Sequence, residues 1–257
     1  MSKPPRRATI NSPMEILRDI DHLPTFRHAV ATIGSYDGVH RGHATLLGEV
    51  VRRAQEACGE SIVITFEPHP RITLGNDEGL QLLSTLEEKA ELLTAHAIDY
   101  LIVIPFDETF SRLSHDEFTR DYLMGRLNIK ELVVGYNHRF GHDKQGGYTT
   151  LITQSSIRVV EIARQTADGD KVSSTVVRQA LNIGDMVTAQ HLLGHPYTII
   201  GECNDEGYIT LDRYKLLPPI GEYITRINDN ISKIEVLPDR RLRCHERVAR
   251  RVKIEFL

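Results

Sequence analysis

The sequence predicts an α/β fold in which a parallel sheet is followed by a small β domain. From residue 29 onward, continuous apolar runs alternate with amphipathic helical patterns, which is typical of a parallel sheet covered by helices on both faces. After Pro196 the pattern changes to short alternating runs separated by turn residues, which favours antiparallel strands. We therefore predict two domains, residues 1–195 and residues 196–257. We expect the second to pack against the first, because so short a unit is only marginally stable alone.

The apolar runs and the helix signals place the elements of both domains. The predicted strands of the first domain are Val30–Ile33, Ser61–Phe66, Tyr100–Ile104, Glu131–Gly135 and Ile157–Glu161. Helical patterns occupy residues 43–57, 85–97, 114–127, 147–154, 175–182 and 185–193. Capping boxes are expected at Ser84 with Glu87 and at Ser114 with Glu117. The predicted strands of the second domain are Tyr197–Gly201, Tyr208–Leu211, Gly221–Ile227, Ile231–Val236 and Val248–Phe256.

Composition argues against several classes of function. The chain has 257 residues, of which 40% are hydrophobic and 26% charged, and its formal net charge of -4 gives no general reason to expect a nucleic-acid partner. Its three cysteines match neither a disulfide framework nor a zinc spacing. The basic first residues lead into no apolar segment of a signal peptide, and no apolar run is long enough to cross a bilayer. We expect a cytoplasmic protein without a membrane partner.

The most informative stretch is the glycine-rich turn that follows the first predicted strand of the sheet. Running directly into a helical pattern, it contains Gly34, Asp37, Gly38 and Gly42. Such glycines let the backbone approach a ligand closely, and the first N–H groups of a helix point toward an anion. His40 and His43 stand three residues apart, so on a helical start both can face the same way. Beside a helix N-terminus, two imidazoles suit phosphate oxygens better than a metal ion.

A second site for an anion is predicted at Ser173, Ser174 and Thr175, which precede another helical pattern with Arg178 on its first turns. One of the serines can cap the helix, while the other hydroxyls, the free N–H groups and the guanidinium can bind an anion. Taken alone, this stretch is more simply an N-cap followed by a solvated arginine. Together with the histidine turn, it indicates a polyphosphate that is held from both ends.

These two stretches resemble the signatures of a known family. The run Gly34-x-x-Asp37-Gly38-Val39-His40-x-Gly42-His43 resembles the HxGH signature of the adenylyltransferase superfamily, in the form found in bacterial FAD synthetases. The run Ser173-Ser174-Thr175-x-x-Arg178 resembles the second signature of that superfamily, the SSTxxR loop. Three motifs between them are similar to the FAD synthetase module itself, namely Thr65–Pro70, Pro105–Ser114 and Val134–Gly141. The resemblance covers residues 28–198 and implies a Rossmann-like nucleotidyltransferase fold for the first domain.

The resemblance implies an enzyme, an FMN adenylyltransferase that transfers AMP from ATP to FMN and yields FAD and pyrophosphate. The residues implied for catalysis are His40, His43 and Arg178. Those implied for ATP binding are Gly34, Asp37, Gly38, Gly42, Ser173, Ser174 and Thr175, and those implied for FMN binding are Phe66, Pro68, His69 and Asn137. The FMN phosphate is already anionic near pH 7, so that an in-line transfer needs no covalent intermediate. Mg²⁺ is expected to bridge the phosphates through water and substrate oxygens rather than in a protein cage.

Simpler alternatives stay open for the supporting motifs. Phe66–Pro70 can be only a rigid exit from a strand, because each proline fixes φ and restrains the residue before it. Asn137 can simply tolerate a left-handed turn. His191 and His195 stand four residues apart like metal ligands, but no third ligand is evident nearby, and a helix end at Gly194 explains the stretch better. We predict no protein metal site.

The resemblance weakens in the second domain. Bifunctional family members carry a riboflavin kinase module marked by a Gly-Phe-Pro-Thr-Ala-Asn segment, and the corresponding region here, Tyr208–Lys215, lacks that signature. We therefore expect a reduced or degenerate riboflavin-kinase-like module without kinase activity, and a separate riboflavin kinase as a source of FMN. The basic run from Arg240 to Lys253 is interpreted as a solvated face, with a polyanion-binding patch as the alternative.

Two other functions remain as alternatives to FAD synthesis. One is a different small-molecule adenylyl- or cytidylyltransferase, acting for example on nicotinamide mononucleotide or on a phosphopantetheine. The other is a non-catalytic sensor of a flavin or a nucleotide, and the intact pair of His40 and His43 argues against it. The identity of the acceptor separates these hypotheses.

Overall fold

The structure of the protein is a computed structural model that describes residues 13–136, 140–141, 147–163, 166–167, 170–246 and 248–257. The described residues form two compact units, and each contains a hydrophobic core. The first, here called the sheet unit, combines residues 13–36, 43–78 and 92–163. The second, here called the barrel unit, combines residues 37–42, 79–91 and 166–257. Throughout the described ranges, no helix is both long enough and apolar enough to cross a membrane.

The sheet unit is built on a six-stranded parallel sheet, which confirms the predicted α/β fold. In chain order the strands are β1 (Glu15–Leu17), β2 (Ala29–Ile33), β3 (Glu60–Glu67), β4 (Tyr100–Pro105), β5 (Ile129–Gly135) and β6 (Arg158–Ile162). Their order across the sheet is β1-β4-β3-β2-β5-β6, so that β2 lies between β3 and β5. The chain order therefore reverses beside β2, and in open α/β sheets ligands bind beyond the carboxyl ends of the strands at such a point.

Strand β1 is an edge strand that the sequence does not predict. It pairs with β4, with Glu15 opposite Tyr100. The strand is only three residues long and is largely exposed, so no apolar run marks it in the sequence. The inner strand β2, by contrast, is buried along its whole length, which explains why its apolar run is a clear signal.

In the described residues, the helices comprise six that lie close to their predicted positions and two short ones, the second and the fourth in chain order, that are not predicted. They are α1 (Arg41–Glu56), α2 (Pro70–Thr73), α3 (Leu86–Ala95), α4 (Glu108–Ser111), α5 (His115–Glu117), α6 (Tyr148–Gln154), α7 (Ser174–Asn182) and α8 (Met186–Leu193), and a π-helical segment, Phe118–Arg126, continues α5. The capping box predicted at Ser114 and Glu117 is confirmed, since each side chain accepts a hydrogen bond from the backbone N–H of the other. Helix α8 ends at Gly194, which has the predicted left-handed conformation.

The capping box predicted at Ser84 and Glu87 is wrong by one residue. Thr85 and Glu88 exchange the two hydrogen bonds instead, at 3.3 Å from Glu88 N to Thr85 Oγ1 and 2.8 Å from Thr85 N to Glu88 Oε2. The hydroxyl of Ser84 has another partner, because its Oγ accepts the N–H of Gly38 at 2.9 Å. A tertiary contact therefore displaces the local pattern by one position.

The barrel unit contains a closed antiparallel barrel of six strands, which confirms the predicted C-terminal β domain. After a short hairpin, β7 (Thr166–Ala167) with β8 (Asp170–Lys171), the barrel strands are β9 (Thr198–Cys203), β10 (Tyr208–Thr210), β11 (Gly221–Ile227), β12 (Asn230–Val236), β13 (Leu242–Cys244) and β14 (Arg251–Phe256). The order around the barrel is β10-β13-β12-β11-β14-β9, and β9 also pairs with β10. The three-residue β13 is missing from the prediction. The division of the sequence at residue 195 stays a prediction.

Alternating side chains fill the core of the barrel unit. Along β14, Val252, Ile254 and Phe256 are fully buried, while the residues between them are more exposed. The ring of Phe256 contacts those of Tyr197 and Tyr223, with centroids 6.0 and 5.5 Å away. This period of two explains why the strand can be predicted from the sequence.

The basic run at the end of the chain is extensively paired with carboxylates. In the barrel unit, Arg251 forms an ion pair with Glu87, and Lys253 Nζ lies 3.0 Å from an oxygen of Glu91. Arg241 pairs with Asp239 at 2.7 Å. These contacts neutralise much of the local positive charge, which favours the interpretation of a structural face over a polyanion-binding patch.

Candidate active site

The turn after β2 has an unusual backbone conformation. Tyr36, Gly38 and Val39 all have positive φ angles, of 47°, 79° and 39°. A β-branched residue such as Val39 rarely occupies this region. At Gly38 the space is closed as well, since a Cβ atom would lie 2.9 Å from Leu83 Cβ. The turn therefore requires glycine at this position and needs other contacts to hold it.

Asp37 supplies those contacts within the barrel unit. Its Oδ1 accepts the backbone N–H groups of Leu83 and Ser84 at 2.8 and 3.0 Å. Its Oδ2 accepts a hydrogen bond from Arg178 Nη2 at 3.0 Å, and Arg178 Nε donates to the carbonyl oxygen of Gln81 at 2.9 Å. Asp37 is only 4% exposed. Burial raises the pKa of this carboxyl group, and the neighbouring cation Arg178 offsets part of that rise.

The SSTxxR segment contacts Asp37 at its backbone as well as at its carboxylate. Ser173 is the N-cap of α7, with its Oγ accepting the N–H of Val176 at 3.5 Å. Ser174 Oγ donates to the carbonyl oxygen of Asp37 at 3.0 Å. Thr175 is exposed on the first turn. We call the group formed by Asp37, Gly38, Leu83, Ser84, Ser174 and Arg178 the Asp37 cluster.

His40 is buried beside this cluster and is only 6% exposed. Burial, together with the positive charges of Arg178 and His195, lowers the pKa of His40 to about 4. The imidazole is therefore neutral near pH 7. Gly42 makes room for this ring, because a Cβ there would lie 3.1 Å from His40 Cε1.

His195 is a neighbour of the turn that the sequence interpretation does not assign to the site. Its Nε2 lies 3.0 Å from the carbonyl oxygen of Gly38, and its Nδ1 lies 2.9 Å from that of Pro196. Ser84 is a second such neighbour through its contact with Gly38. Neither residue has a local sequence signal for this role, since each contacts a residue far away along the chain.

A cavity of about 720 Å³ lies in the sheet unit, at residues that follow the carboxyl ends of β2, β3, β4 and β5. Aromatic side chains dominate its lining, and they include Tyr36, Phe66, Phe106, Phe110, Phe118, Tyr136 and Phe140. The ring of Phe66 lies 5.6 Å from that of Phe106 and 5.7 Å from that of Phe110. Such a volume and such a lining are typical of a site for a small organic ligand.

Several of the predicted residues line this cavity. Gly34, Phe66 and His69 are among its walls, and so is His43, whose ring centroid lies 4.9 Å from that of Tyr36. Pro68 is exposed and is not one of the lining residues, whereas Pro70 is. Asn137 lies outside the described residues.

No metal-binding cluster is found in the part of the chain that the structure describes, where a cluster means three or more His, Cys, Asp or Glu side chains suitably placed. His195 contacts backbone carbonyl oxygens at both ring nitrogens. Asp37, the acidic residue of the turn, is hydrogen-bonded to backbone N–H groups and to Arg178. The oxygens of Asp37 and the ring nitrogens of His195 are therefore engaged by groups of the protein itself.

Comparison with known proteins shows the family to which the sequence is related. The family described as FAD synthetase matches residues 23–176. Bifunctional riboflavin kinase/FMN adenylyltransferases are 35% identical over 175 residues in Listeria monocytogenes and 35% identical over 193 residues in Escherichia coli K12. These alignments cover 67% and 73% of this chain, but only 55% and 62% of the two relatives. A putative bifunctional enzyme of the same name from Geobacillus thermodenitrificans is 33% identical over 172 residues, which is 67% of this chain and 93% of that protein.

A solved structure shows the same fold. A crystal structure titled as a macrolide-efflux protein from Streptococcus pneumoniae aligns with a TM-score of 0.81 over 95% of this chain and 90% of that chain, at 21% identity. The parallel sheet defines a protein of the α/β class, and the matched sequence is that of a nucleotidyltransferase family. Within that class, the chain belongs to the FAD synthetase family.

The lowered pKa of His40 predicts how stability depends on pH. The folded-state pKa is about 4 and the ordinary value is 6.5, so the unfolded chain binds more protons between these values. The contribution of neutral His40 to the free energy of unfolding is fully present above pH 6.5 and is lost as the pH falls toward 4. Between pH 7.5 and pH 4.5, the free energy of unfolding should fall by about 2.5 kcal/mol less in the variant His40→Asn than in the wild type.

Urea unfolding at the two pH values measures this difference. His191→Asn, a substitution of the same type at an exposed histidine, is measured alongside as the matched control. Equal pH dependence for His40→Asn and the wild type would show that the burial of His40 does not lower its pKa.

Proposed function

We propose that the protein is an FMN adenylyltransferase, which transfers AMP from ATP to FMN and releases pyrophosphate. The observation that carries this proposal is the aromatic cavity in the sheet unit. Some of its lining residues directly precede Asp37 in the sequence, and Asp37 holds the turn through its hydrogen bonds. The relatives named above are riboflavin kinase/FMN adenylyltransferases, and the family match covers both of these features.

The cavity suits the flavin ring system for simple physical reasons. The isoalloxazine is flat and largely apolar, and Phe66, Phe106 and Phe110 offer ring faces and edges against which it can pack. In this proposal His69 flanks the ring system, and Pro68 and Asn137 keep the FMN-binding roles that the family resemblance implies. Gly34 and His43 line the cavity where the turn begins and ends, and they keep their implied roles in ATP binding and in catalysis.

The Asp37 cluster suits the phosphates of ATP. The Arg178 guanidinium carries five N–H groups, of which two make the contacts with Asp37 and Gln81. Its side chain is 28% exposed, so the remaining donors can meet a ligand at the surface of the barrel unit. The start of α7, with Ser173, Ser174 and Thr175, would add the partial positive charge of a helix N-terminus. Gly38 and Gly42 would let the backbone come close to the phosphates.

The proposed reaction is a direct displacement. An FMN phosphate oxygen attacks the α-phosphorus of ATP, and the bond from that phosphorus to the pyrophosphate oxygen breaks as the new bond forms. His40, neutral near pH 7, would hydrogen-bond the phosphate oxygens together with His43, while Arg178 would stabilise the charge on the leaving pyrophosphate. Mg²⁺ would enter as part of the substrate, bound to ATP.

The proposal assigns no riboflavin kinase activity to the barrel, because the Pro-Thr-Ala-Asn signature is not found in the segment Tyr208–Lys215. A separate riboflavin kinase would then supply FMN. We propose a cytoplasmic location, where both nucleotides are present. The expected product is FAD, and no nucleic acid or membrane takes part.

The direct test is to incubate the purified chain with ATP, Mg²⁺ and either FMN or riboflavin, and to identify the products by chromatography. FAD and pyrophosphate should form from FMN, and no FMN should form from riboflavin. Nicotinamide mononucleotide and phosphopantetheine serve as competing acceptors. A preference for either of them over FMN, or the absence of turnover with every acceptor, would contradict the proposed function.

Replacing both histidines of the turn separates catalysis from flavin binding. His40→Ala/His43→Ala should lower the rate of FAD formation by about 100-fold or more, because hydrogen-bond donors to the transition state are lost. The FMN dissociation constant, measured by flavin fluorescence, should change little, since the aromatic walls of the cavity remain. His191→Asn is again the control. A doubly substituted variant with wild-type turnover would rule out the assigned roles.

A further inference from the structure

The barrel unit contains a buried lysine that the proposed mechanism does not use. Lys215, in the segment between β10 and β11, donates from Nζ to Glu88 Oε2 at 2.6 Å, to Leu83 O at 2.7 Å and to Thr198 O at 2.7 Å. The side chains of Lys215 and Glu88 are each only 1% exposed. All three N–H donors of the ammonium group therefore have acceptors in a site that water does not reach.

Glu88 is equally well satisfied. Besides Lys215, it accepts the backbone N–H of Thr85 at 2.8 Å through Oε2 and that of Ile200 at 2.8 Å through Oε1. A buried ion pair is a poor source of stability unless its remaining hydrogen bonds are made. Apolar side chains could stabilise the fold equally well at these two positions. Stability alone therefore does not explain why an ion pair is buried here.

The explanation lies in the segment Gln81–Ser84, which Lys215 holds from one side. Leu82 N donates to Tyr214 O at 2.7 Å, and Leu216 N donates to Leu82 O at 2.9 Å, so the backbone on both sides of Lys215 pairs with this segment. The peptide unit whose carbonyl oxygen accepts from Lys215 joins Leu83 to Ser84. The N–H of that same unit is the Ser84 N–H that donates to Asp37.

Three residues of this segment, Gln81, Leu83 and Ser84, also hold the turn and the arginine. Leu83 and Ser84 donate to Asp37, Gln81 accepts from Arg178, and the Ser84 hydroxyl accepts from Gly38. A hydrogen bond to a carbonyl oxygen polarises the peptide and strengthens the donation from its N–H. Lys215 thus strengthens the hydrogen bond from Ser84 N–H that orients Asp37, and Asp37 in turn orients Arg178.

We propose that Lys215 is a positioning residue for adenylyl transfer, by which the barrel sets the geometry of the Asp37 cluster. This inference rests on the proposed function and assigns the barrel a part in the synthetase reaction itself. Lys215 touches no substrate in this proposal. It acts through the Leu83–Ser84 peptide, so its loss should weaken the use of ATP and leave the flavin cavity of the sheet unit unaffected.

Two single substitutions separate positioning from stability, because they break the same ion pair. Lys215→Met removes the donor to Leu83 O, whereas Glu88→Gln breaks the charge pair and keeps that donor. We expect kcat/KM for ATP to fall about tenfold or more in Lys215→Met and to stay within about threefold of wild type in Glu88→Gln. The FMN dissociation constant should stay within about twofold in both.

The double variant Glu88→Gln/Lys215→Met leaves no unpaired buried carboxylate, so its melting temperature should be higher than that of Lys215→Met. Its kcat/KM for ATP should stay as low as that of Lys215→Met. Lys233→Met is the control for an exposed ion pair, because Lys233 pairs with Glu222 on the barrel surface. This substitution should leave kcat/KM for ATP unchanged. If Lys215→Met does not fold, Lys215→Gln takes its place, because it keeps a polar group next to Glu88. Equal losses in the Glu88 and Lys215 variants, or wild-type kinetics in the double variant, would overturn the inference.

Amide hydrogen exchange provides a readout that does not depend on turnover. The N–H groups of Leu83 and Ser84 should exchange faster in the Lys215 variants than in Glu88→Gln, because their acceptor Asp37 is less well placed. If the wild type makes no FAD, the proposed function fails, and this exchange comparison still decides the positioning. Equal exchange in both variants would refute it.

Discussion

The arrangement of the candidate active site depends on one buried carboxylate, Asp37. A carboxylate away from water is costly unless charge and hydrogen bonds compensate it. Here two backbone N–H groups and one guanidinium do so, and each of these partners comes from a different place in the sequence than the turn itself. The strained backbone at Val39 and the left-handed Gly38 are held in place next to it. A single side chain thereby links the turn, the segment before α3 and the start of α7.

The two units supply different chemistry to the proposed reaction. The sheet unit provides an aromatic cavity at residues that follow the strand ends, where α/β sheets bind their ligands. The barrel unit provides charge, through Arg178 and the helix start that Ser173 caps. Under the proposals made above, the barrel would contribute to phosphate binding indirectly, because Lys215 donates to the Leu83 carbonyl oxygen next to the Asp37 cluster. That contribution would give the barrel a physical role in a chain whose Tyr208–Lys215 segment lacks the kinase signature.

Much of the fold could be predicted because its signals are local. The strands β2 to β5 each contain a continuous buried apolar run, and the Ser114 capping box is a four-residue pattern. The two signatures around His40 and Ser173 follow glycine and hydroxyl patterns that the sequence displays directly. The short strands β1 and β13 were missed because three residues carry too little pattern.

The parts of the site that could not be predicted depend on distant contacts. The Ser84 hydroxyl accepts a hydrogen bond from the N–H of Gly38, 46 residues away, so the local capping pattern was misleading there. His195 meets Gly38 across 157 residues, and Lys215 meets Leu83 across 132. No spacing rule reveals such pairs. Only the folded chain brings together groups whose charges and hydrogen bonds match.

The most direct test of this account is the variant Asp37→Asn, examined for flavin binding and for FAD formation in the same preparation. The amide has one oxygen and an NH2 group in place of the two carboxylate oxygens. The N–H groups of Leu83 and Ser84 and the guanidinium of Arg178 therefore cannot all keep their acceptors. The account predicts an FMN dissociation constant close to that of the wild type and a rate of FAD formation lower by about 100-fold. FAD formation at the wild-type rate would contradict it.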